Sequence, residues 1–176
     1  GTVSLLNGST PGIHFPESEY YIRRIRFSTT SDLLEPLAKA GYKMEPDAYS
    51  PNTTVVEFPV QEPYFEKSKK DVSMWEQLEI AAQYQHFWAD NSVSVTVTFQ
   101  PHEADGLKSA LEMYETRLKA VSFLAYKETG YKQAPYEAIT ESEYKKMNSK
   151  ITPLKRIETE TAGAGSKFCT NDTCTI

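Results

Sequence analysis

One stretch near the middle of the chain limits its possible folds more than any other. Valines and a phenylalanine alternate with small polar residues over residues 93–99, which is the period of a half-buried β-strand. Apolar residues then recur at steps of three or four over residues 104–118, as in an amphipathic helix. The apolar run KAVSFLAY at residues 119–126 predicts a second strand. A strand, a helix and a strand in this order favour an α/β fold with mostly parallel strands.

Two further strands are predicted nearer the start of the chain. Residues 20–27 are rich in isoleucine and aromatic residues, and residues 53–60 are rich in β-branched residues. Pro59 indicates that the second strand lies at a sheet edge or ends there. The polar residues 62–70 are expected on the surface. The aromatic pairs Tyr20–Tyr21 and Phe87–Trp88 are interpreted as core residues.

Capping residues predict three more helices. Ser31 is a candidate N-cap for a helix that reaches residue 40, where Gly41 is in position to end it. The capping box formed by Ser73 and Glu76 predicts a helix to about residue 89. A short helix is expected over residues 141–148.

The strands predicted in this way cannot close a barrel and would leave unpaired sheet edges. The chain is therefore expected to be part of a longer protein, with further strands before Gly1. Residues 1–150 are assigned to a folded α/β part. Residues 151–176 are assigned to a flexible tail, because residues 159–166 (TETAGAGS) offer too little apolar surface to become ordered.

Composition excludes several classes of function. The net charge of −5 comes from acidic and basic residues that are mixed along the chain, so no basic surface for nucleic acid is expected. No apolar run approaches the ~18 residues of a membrane span, and no secretion signal begins the chain. The sequence predicts a cytoplasmic protein with no membrane contact.

The two cysteines of the chain are the first candidates for chemistry. Cys169 and Cys174 are five positions apart, close to the C-terminus and behind the Gly/Ala/Ser segment. Four intervening residues allow a loop that brings the two sulfurs together. A disulfide at such a terminus would constrain no folded structure, and a metal site would need about four ligands. Thiol–disulfide exchange and two idle surface thiols are the alternatives that remain.

The second candidate is the first loop, GTVSLLNGSTPG, because converging backbone N–H groups in such a segment can hold a phosphate. It lacks the lysine of a P-loop, so composition alone favours a plain turn-rich loop over a phosphate site. His86 and His102 lie at predicted helix ends and are interpreted as surface or capping residues. No catalytic triad or carboxylate pair is apparent.

Taken together, several motifs resemble the adenosylcobalamin-dependent (class II) ribonucleotide reductases. The resemblance covers essentially all 176 residues and lies in the order and spacing of the motifs. The first loop is similar to the end of the substrate phosphate-binding loop of that family, without the Pro-Ser or Pro-Thr that commonly precedes it. The remaining matches are HFPESEYYIRRIRF with GYKMEPD, FWADNSVSVTVTF, KAVSFLAY, YKQAPYEAITESEY and the terminal Cys-x4-Cys.

The resemblance implies the C-terminal part of a ten-stranded α/β barrel, followed by a disordered tail. It implies reduction of ribonucleoside triphosphates to deoxynucleotides by a cysteine thiyl radical that adenosylcobalamin generates. The oxygen-dependent reductases carry two tyrosines on the last barrel strand for radical transfer, and Ser122 and Phe123 stand there in this chain. This difference favours the cobalamin class.

The resemblance also implies residue roles. Gly1, Thr2, Val3 and Ser4 would bind substrate phosphate. Cys169 and Cys174 would re-reduce the active-site disulfide and be recharged by thioredoxin in a monomeric enzyme. The thiyl cysteine is not in this chain, so the isolated chain is expected to be inactive and to hold no metal.

Two alternatives to an enzyme fragment stay open. One is a reductase-derived, thioredoxin-responsive regulatory module that has lost catalysis. The other is a metal-independent phosphate binder that uses the first loop alone.

Overall fold

The computed structural model describes residues 11–126 and 132–154. Two sheets and four α-helices make up this part of the chain. In chain order the elements are β1 (Tyr20–Ser28), α1 (Leu34–Lys39), β2 (Lys43–Pro46), β3 (Thr53–Gln61), α2 (Met74–Phe87), β4 (Thr96–Phe99), a 3₁₀ turn (Pro101–Gly106), α3 (Leu107–Tyr114), β5 (Ser122–Ala125), β6 (Tyr136–Ala138) and α4 (Glu141–Asn148). The mixture of helices and strands confirms the α/β prediction at this level.

The larger sheet has the strand order β2-β3-β1-β6 and is antiparallel throughout. The prediction of mostly parallel strands is therefore wrong for this sheet. A parallel crossover needs a dozen or more residues, usually with a helix, whereas the connection from β2 to β3 is short and α1 has only six residues. β1 and β3 pair along nine residues, from Tyr20 opposite Gln61 to Ser28 opposite Thr53.

Strand β3 lies inside this sheet, not at its edge as Pro59 indicated. Strand β2 pairs only with the first part of β3, from Thr54 to Glu57. Pro59 lies beyond that paired part, so its missing N–H interrupts no bond to β2. Of the two alternatives that Pro59 indicated, the edge position is wrong and the end of the strand is confirmed, because β3 ends two residues later at Gln61.

The smaller sheet pairs β4 with β5 in parallel, from Thr96 opposite Ser122 to Phe99 opposite Ala125. This confirms the predicted strand, helix and strand. The first strand is shorter than predicted because the amide of Val93 donates to the side chain of Gln85 at 2.9 Å instead of entering a ladder. The helix begins as a 3₁₀ turn and ends at Tyr114, four residues early.

Helix α2 and the smaller sheet form the hydrophobic core. Its buried members are Met74, Leu78, Ala81, Ala82, Val95, Val97, Ala110 and Tyr114. The Ser73 hydroxyl caps α2 by accepting the amide of Glu76 at 3.2 Å, as predicted. Phe87 and Trp88 lie past the buried stripe of this helix and are 80% and 84% exposed, so their assignment to the core is wrong. Tyr21 is buried as predicted.

The remaining helices follow their capping signals to different degrees. Helix α4 has the predicted bounds, and Thr140 and Glu143 form a reciprocal capping box. Helix α1 begins at Leu34, three residues after Ser31, and Gly41 follows it with φ +90. A left-handed residue at that position is the common way for a helix to end.

Candidate functional site

The sequence-predicted site residues lie outside the described residues. This holds for Gly1, Thr2, Val3 and Ser4 in the first loop, for Cys169 and Cys174, and for the tail from residue 155 onward. The structure describes the segments that attach these residues to the fold. Residues 11–17 include the last two residues of the first loop, and residues 149–154 include the first four residues of the predicted tail.

His14 fixes the segment after the first loop to the smaller sheet. Its Nδ1 lies 3.0 Å from the carbonyl of Pro11, and its Nε2 lies 3.2 Å from the backbone N of Thr96. The Thr96 amide can only donate, so Nε2 is the acceptor and Nδ1 carries the proton. The ring thereby joins a loop carbonyl to the first residue of β4. This role was not predicted, and His14 has no sequence neighbour that would indicate it.

Gln77 of α2 closes the rest of the same strand edge. Its Nε2 donates to the carbonyl of Thr98 at 2.7 Å, and its Oε1 accepts the amide of Thr98 at 2.9 Å. A single side-chain amide thus replaces the two bonds of a neighbouring strand. Together, His14 and Gln77 bond the amide of Thr96 and both backbone groups of Thr98, which a bare edge would expose.

A cavity of about 310 Å³ lies where residues 11–17 face both sheets. Tyr21 and Tyr136 from the larger sheet and Thr96 from the smaller one contribute to its walls. Lys69 also lines it, and this ammonium group is paired with Glu17. The cavity therefore combines aromatic surface with hydroxyl groups and an internally compensated charge pair. Such a volume is at the lower end of small-molecule pockets.

A buried tyrosine–carboxylate pair lies beside this cavity. The Tyr21 hydroxyl donates to Oε2 of Glu62 at 3.1 Å, and both residues are at most 3% exposed. Burial, reinforced by the Glu62 charge, raises the pKa of Tyr21 well above its usual value. Oε1 of Glu62 has no hydrogen-bond partner among the described residues. Glu62 also lines a second cavity of about 360 Å³ that shares residues 13–16 with the first.

An unpartnered buried carboxylate oxygen is rare because desolvation without a bond is costly. It marks a position where a donor is accommodated. The sequence interpretation placed Glu62 in a polar surface stretch, and no pattern there distinguishes this buried residue from its exposed neighbours. Among the described residues, no group of three or more His, Cys, Asp or Glu side chains is placed to hold a metal ion.

A charged network holds the strands that carry Tyr21 and Tyr136. Arg24 of β1 binds Glu57 of β3 through two nitrogens, at 3.0 and 2.9 Å, and Glu137 of β6 at 2.5 Å. Lys43 of β2 reaches the other oxygen of Glu57 at 3.0 Å. The Arg24–Glu57 pair is buried, and both Arg24 nitrogens reach the same oxygen, Oε1, while Lys43 takes the other, so the buried charges are compensated. It connects all four strands of the larger sheet.

Comparison with known proteins gives these features a family context. No protein-family model matches the chain. An adenosylcobalamin-dependent ribonucleoside-triphosphate reductase of Euglena gracilis is 45% identical over 184 residues, covering 99% of this chain and 25% of the relative. A probable enzyme of the same name from Dictyostelium discoideum is 44% identical, covering 100% of this chain and 24% of the relative. The Levilactobacillus brevis enzyme is 45% identical, with coverages of 86% and 21%.

A solved structure gives the same result. The crystal structure of a B12-dependent (class II) ribonucleotide reductase matches with a TM-score of 0.74 and 41% identity, over 88% of this chain and 22% of that one. In sequence and in fold, this chain is similar to a segment of the ribonucleotide reductases. Within them its relatives are the adenosylcobalamin-dependent ribonucleoside-triphosphate reductases, which confirms the resemblance inferred from the motifs. The chain spans about a quarter of the length of the curated relatives it matches.

The described part of the chain has no helix that is both long and apolar enough to cross a membrane.

Proposed function

We propose that this chain is the C-terminal portion of an adenosylcobalamin-dependent reductase that converts ribonucleoside triphosphates to 2′-deoxyribonucleotides. The observation that carries the proposal is 45% identity to such an enzyme over 99% of the chain, together with the TM-score of 0.74. The chain supplies the end of the substrate phosphate loop and the dithiol that re-reduces the active site. The thiyl cysteine and the ten-stranded barrel depend on sequence outside this chain.

Two observations support the proposed phosphate loop: its composition and the contacts of the segment that follows it. Gly1, Thr2, Val3 and Ser4 offer backbone N–H groups and two hydroxyls, which suit an anion. The loop enters the fold at residues 11–17, which His14 fixes to the amino end of β4. Lys69 adds two further bonds, from its amide to the carbonyl of Pro16 at 2.9 Å and from its ammonium group to Glu17.

The dithiol acts by thiol–disulfide exchange. One thiolate of the Cys169–Cys174 pair attacks the active-site disulfide and forms a mixed disulfide. The second thiolate then displaces the active-site sulfur. The active site regains its dithiol, the tail pair becomes a disulfide, and no electrons are lost. Thioredoxin restores the tail pair by the same exchange.

The last predicted strand fits an enzyme that does not import its radical. At the positions of the two relay tyrosines, β5 carries Ser122 and Phe123. The Phe123 ring packs against Phe99 of β4 with centroids 6.5 Å apart and contacts the core. Phenylalanine in that place supplies packing and has no phenolic hydroxyl to oxidise.

The two cavities that residues 13–16 line, of about 310 and 360 Å³, fit a small group and not a corrin ring. A larger cavity of about 850 Å³ lies at the end of α2 and is lined by Phe87, Trp88 and Arg117 among others. The unpartnered Oε1 of Glu62 is a suitable acceptor for an amide or ammonium group of any ligand that reaches it.

The test uses the complete protein that contains this chain. With adenosylcobalamin and thioredoxin it is expected to convert a ribonucleoside triphosphate to the deoxynucleotide. Cys169→Ser or Cys174→Ser should abolish thioredoxin-driven turnover and leave turnover driven by a small dithiol, which reaches the active site directly. Thr173→Ser, between the cysteines, is the matched control and should keep both. Absence of any deoxynucleotide from the complete, cofactor-loaded protein would refute the function, and full thioredoxin-driven rates in the cysteine variants would refute the dithiol role.

A further inference from the structure

The second of the two neighbouring cavities, which we call the Glu62 cavity, combines aromatic rings with carboxylates. Its volume is about 360 Å³, and its lining comes from residues 12–16, from Glu62 and residues 64–67, and from Glu76 near the start of α2. Three aromatic side chains are part of this lining: Phe15, Tyr64 and Phe65. A volume of this size accommodates a small molecule or a single side chain.

The charges around the Glu62 cavity do not cancel. Lys67 lies 3.1 Å from Glu76 and compensates it. Glu62 and Glu66 have no ion-pair partner among the described residues. His14 contributes no spare donor, because its two ring nitrogens bond to backbone groups. The described lining of the cavity therefore carries an excess of negative charge.

Glu62 is the carboxylate whose surroundings call for a further donor. It is 3% exposed, and the Tyr21 hydroxyl donates to its Oε2 at 3.1 Å. Its Oε1 has no hydrogen-bond partner among the described residues. A buried carboxylate is costly unless hydrogen bonds and an opposite charge compensate it. The neutral Tyr21 hydroxyl supplies a bond to one oxygen, so a cationic donor would supply both the missing bond and the missing charge.

Tyr64 presents an aromatic ring at the same cavity. Its backbone has φ +59, a region that is uncommon for a residue other than glycine, and the residue is 99% exposed. Such a conformation has a free-energy cost, and a fully exposed ring recovers none of it by packing. An aromatic face beside unpaired carboxylates attracts a cation through its quadrupole.

We infer that the Glu62 cavity binds a primary ammonium group carried on a short alkyl chain. An ammonium group has three donors and no acceptor, which matches a lining with unpaired carboxylates, and the alkyl chain matches the aromatic rings. A metal ion fits less well, because the described residues hold no group of three or more metal-ligating side chains. The ammonium group can belong to a free amine or to a lysine outside this chain in the complete protein. The inference is independent of the proposed reaction.

The experiment measures binding of n-butylammonium to the complete protein by titration calorimetry. Its uncharged match, n-butanol, has a similar shape and should not bind. A ligand with about five non-hydrogen atoms is expected to bind with a Kd in roughly the millimolar range. Glu62→Gln keeps an oxygen for the Tyr21 hydroxyl and introduces an N–H in place of the unpartnered acceptor. It should weaken binding about tenfold or more, because a bond to a charged group is lost.

Two matched pairs of variants separate the cavity from general effects. Glu66→Gln makes the same chemical change at an exposed carboxylate and should weaken binding only about twofold. Tyr64→Ala should weaken binding about two- to fivefold through the lost cation–π contact. Tyr49→Ala removes an exposed tyrosine that does not line the Glu62 cavity and should leave the Kd unchanged.

Melting temperature and lysine acetylation distinguish the two sources of the ammonium group. For a free amine, Glu62→Gln should not lower the melting temperature of the ligand-free protein, because it removes an uncompensated buried charge. For a lysine, n-butylammonium should not bind, Glu62→Gln should lower the melting temperature, and one protected lysine should become reactive toward acetylation. Absence of both amine binding and such a lysine would overturn the inference. Amine binding that n-butanol matches, or that Glu62→Gln leaves unchanged, would overturn it as well.

Discussion

Replacing Gln77 tests whether a single side chain closes the free edge of β4. Gln77→Ala removes one hydrogen bond to the amide of Thr98 at 2.9 Å and one to its carbonyl at 2.7 Å. A hydrogen bond in a protein contributes a net ~1 kcal/mol, and unmet buried groups cost more. Thr98 is partly buried, so water compensates in part, and we expect a loss of about 2 kcal/mol from the local stability of β4.

The assay is native-state hydrogen exchange of the complete protein, read on the peptide that contains residues 96–99. A loss of about 2 kcal/mol corresponds to roughly 30-fold faster exchange of the Thr98 amide when reclosing is faster than chemical exchange. Gln83→Ala is the matched control, because Gln83 lies on the same helix and bonds only to Glu79, at 3.3 Å. Exchange within about threefold of wild type in Gln77→Ala would refute the role assigned to this side chain.

Two further predictions concern ionisable groups. Hydrogen bonds from Arg117 lower the pKa of Glu79 to about 2, from 4.5 in the unfolded chain. The stabilisation is complete above about pH 4.5 and is lost as the pH falls toward 2, so the melting-temperature difference between wild type and Glu79→Gln should vanish at the acid end. Tyr21→Phe removes the hydroxyl that donates to buried Glu62 and should cost about 1–3 kcal/mol in denaturant unfolding, whereas exposed Tyr49→Phe should cost little. A melting-temperature difference for Glu79→Gln that does not change with pH would contradict the first assignment. An unchanged free energy of unfolding in Tyr21→Phe would contradict the second.

An element was predictable when its own residues carry the pattern of a helix or a strand, and not when it forms only by pairing with a neighbouring strand. The β4–α3–β5 unit was predictable because its residues repeat with the period of their own element. Strands β2 (KMEP) and β6 (YEA) have no such pattern. They form because their backbones pair with β3 and β1, respectively. The antiparallel sheet was missed for this reason. Phe87 and Trp88 were misassigned because an aromatic pair indicates burial only when it falls on the buried stripe of its helix.

The site was less predictable than the fold for a physical reason. His14, Gln77 and Glu62 act on groups 82, 21 and 41 positions away in the chain, so no local pattern records their partners. The order and spacing of the motifs indicated the family, because both can be read directly along the sequence. They could not identify the residues that hold each functional segment in place.

The described residues next to both proposed functional segments are bonded to the folded part of the chain. The first loop is attached by His14 to the amide of Thr96, and the tail by the amide of Thr152 to Ala40, beside Gly41. A segment that must bind a changing ligand, or move between two partners, gains little from a large buried interface of its own. We therefore expect residues such as His14 and Thr152 to fix where each proposed segment starts.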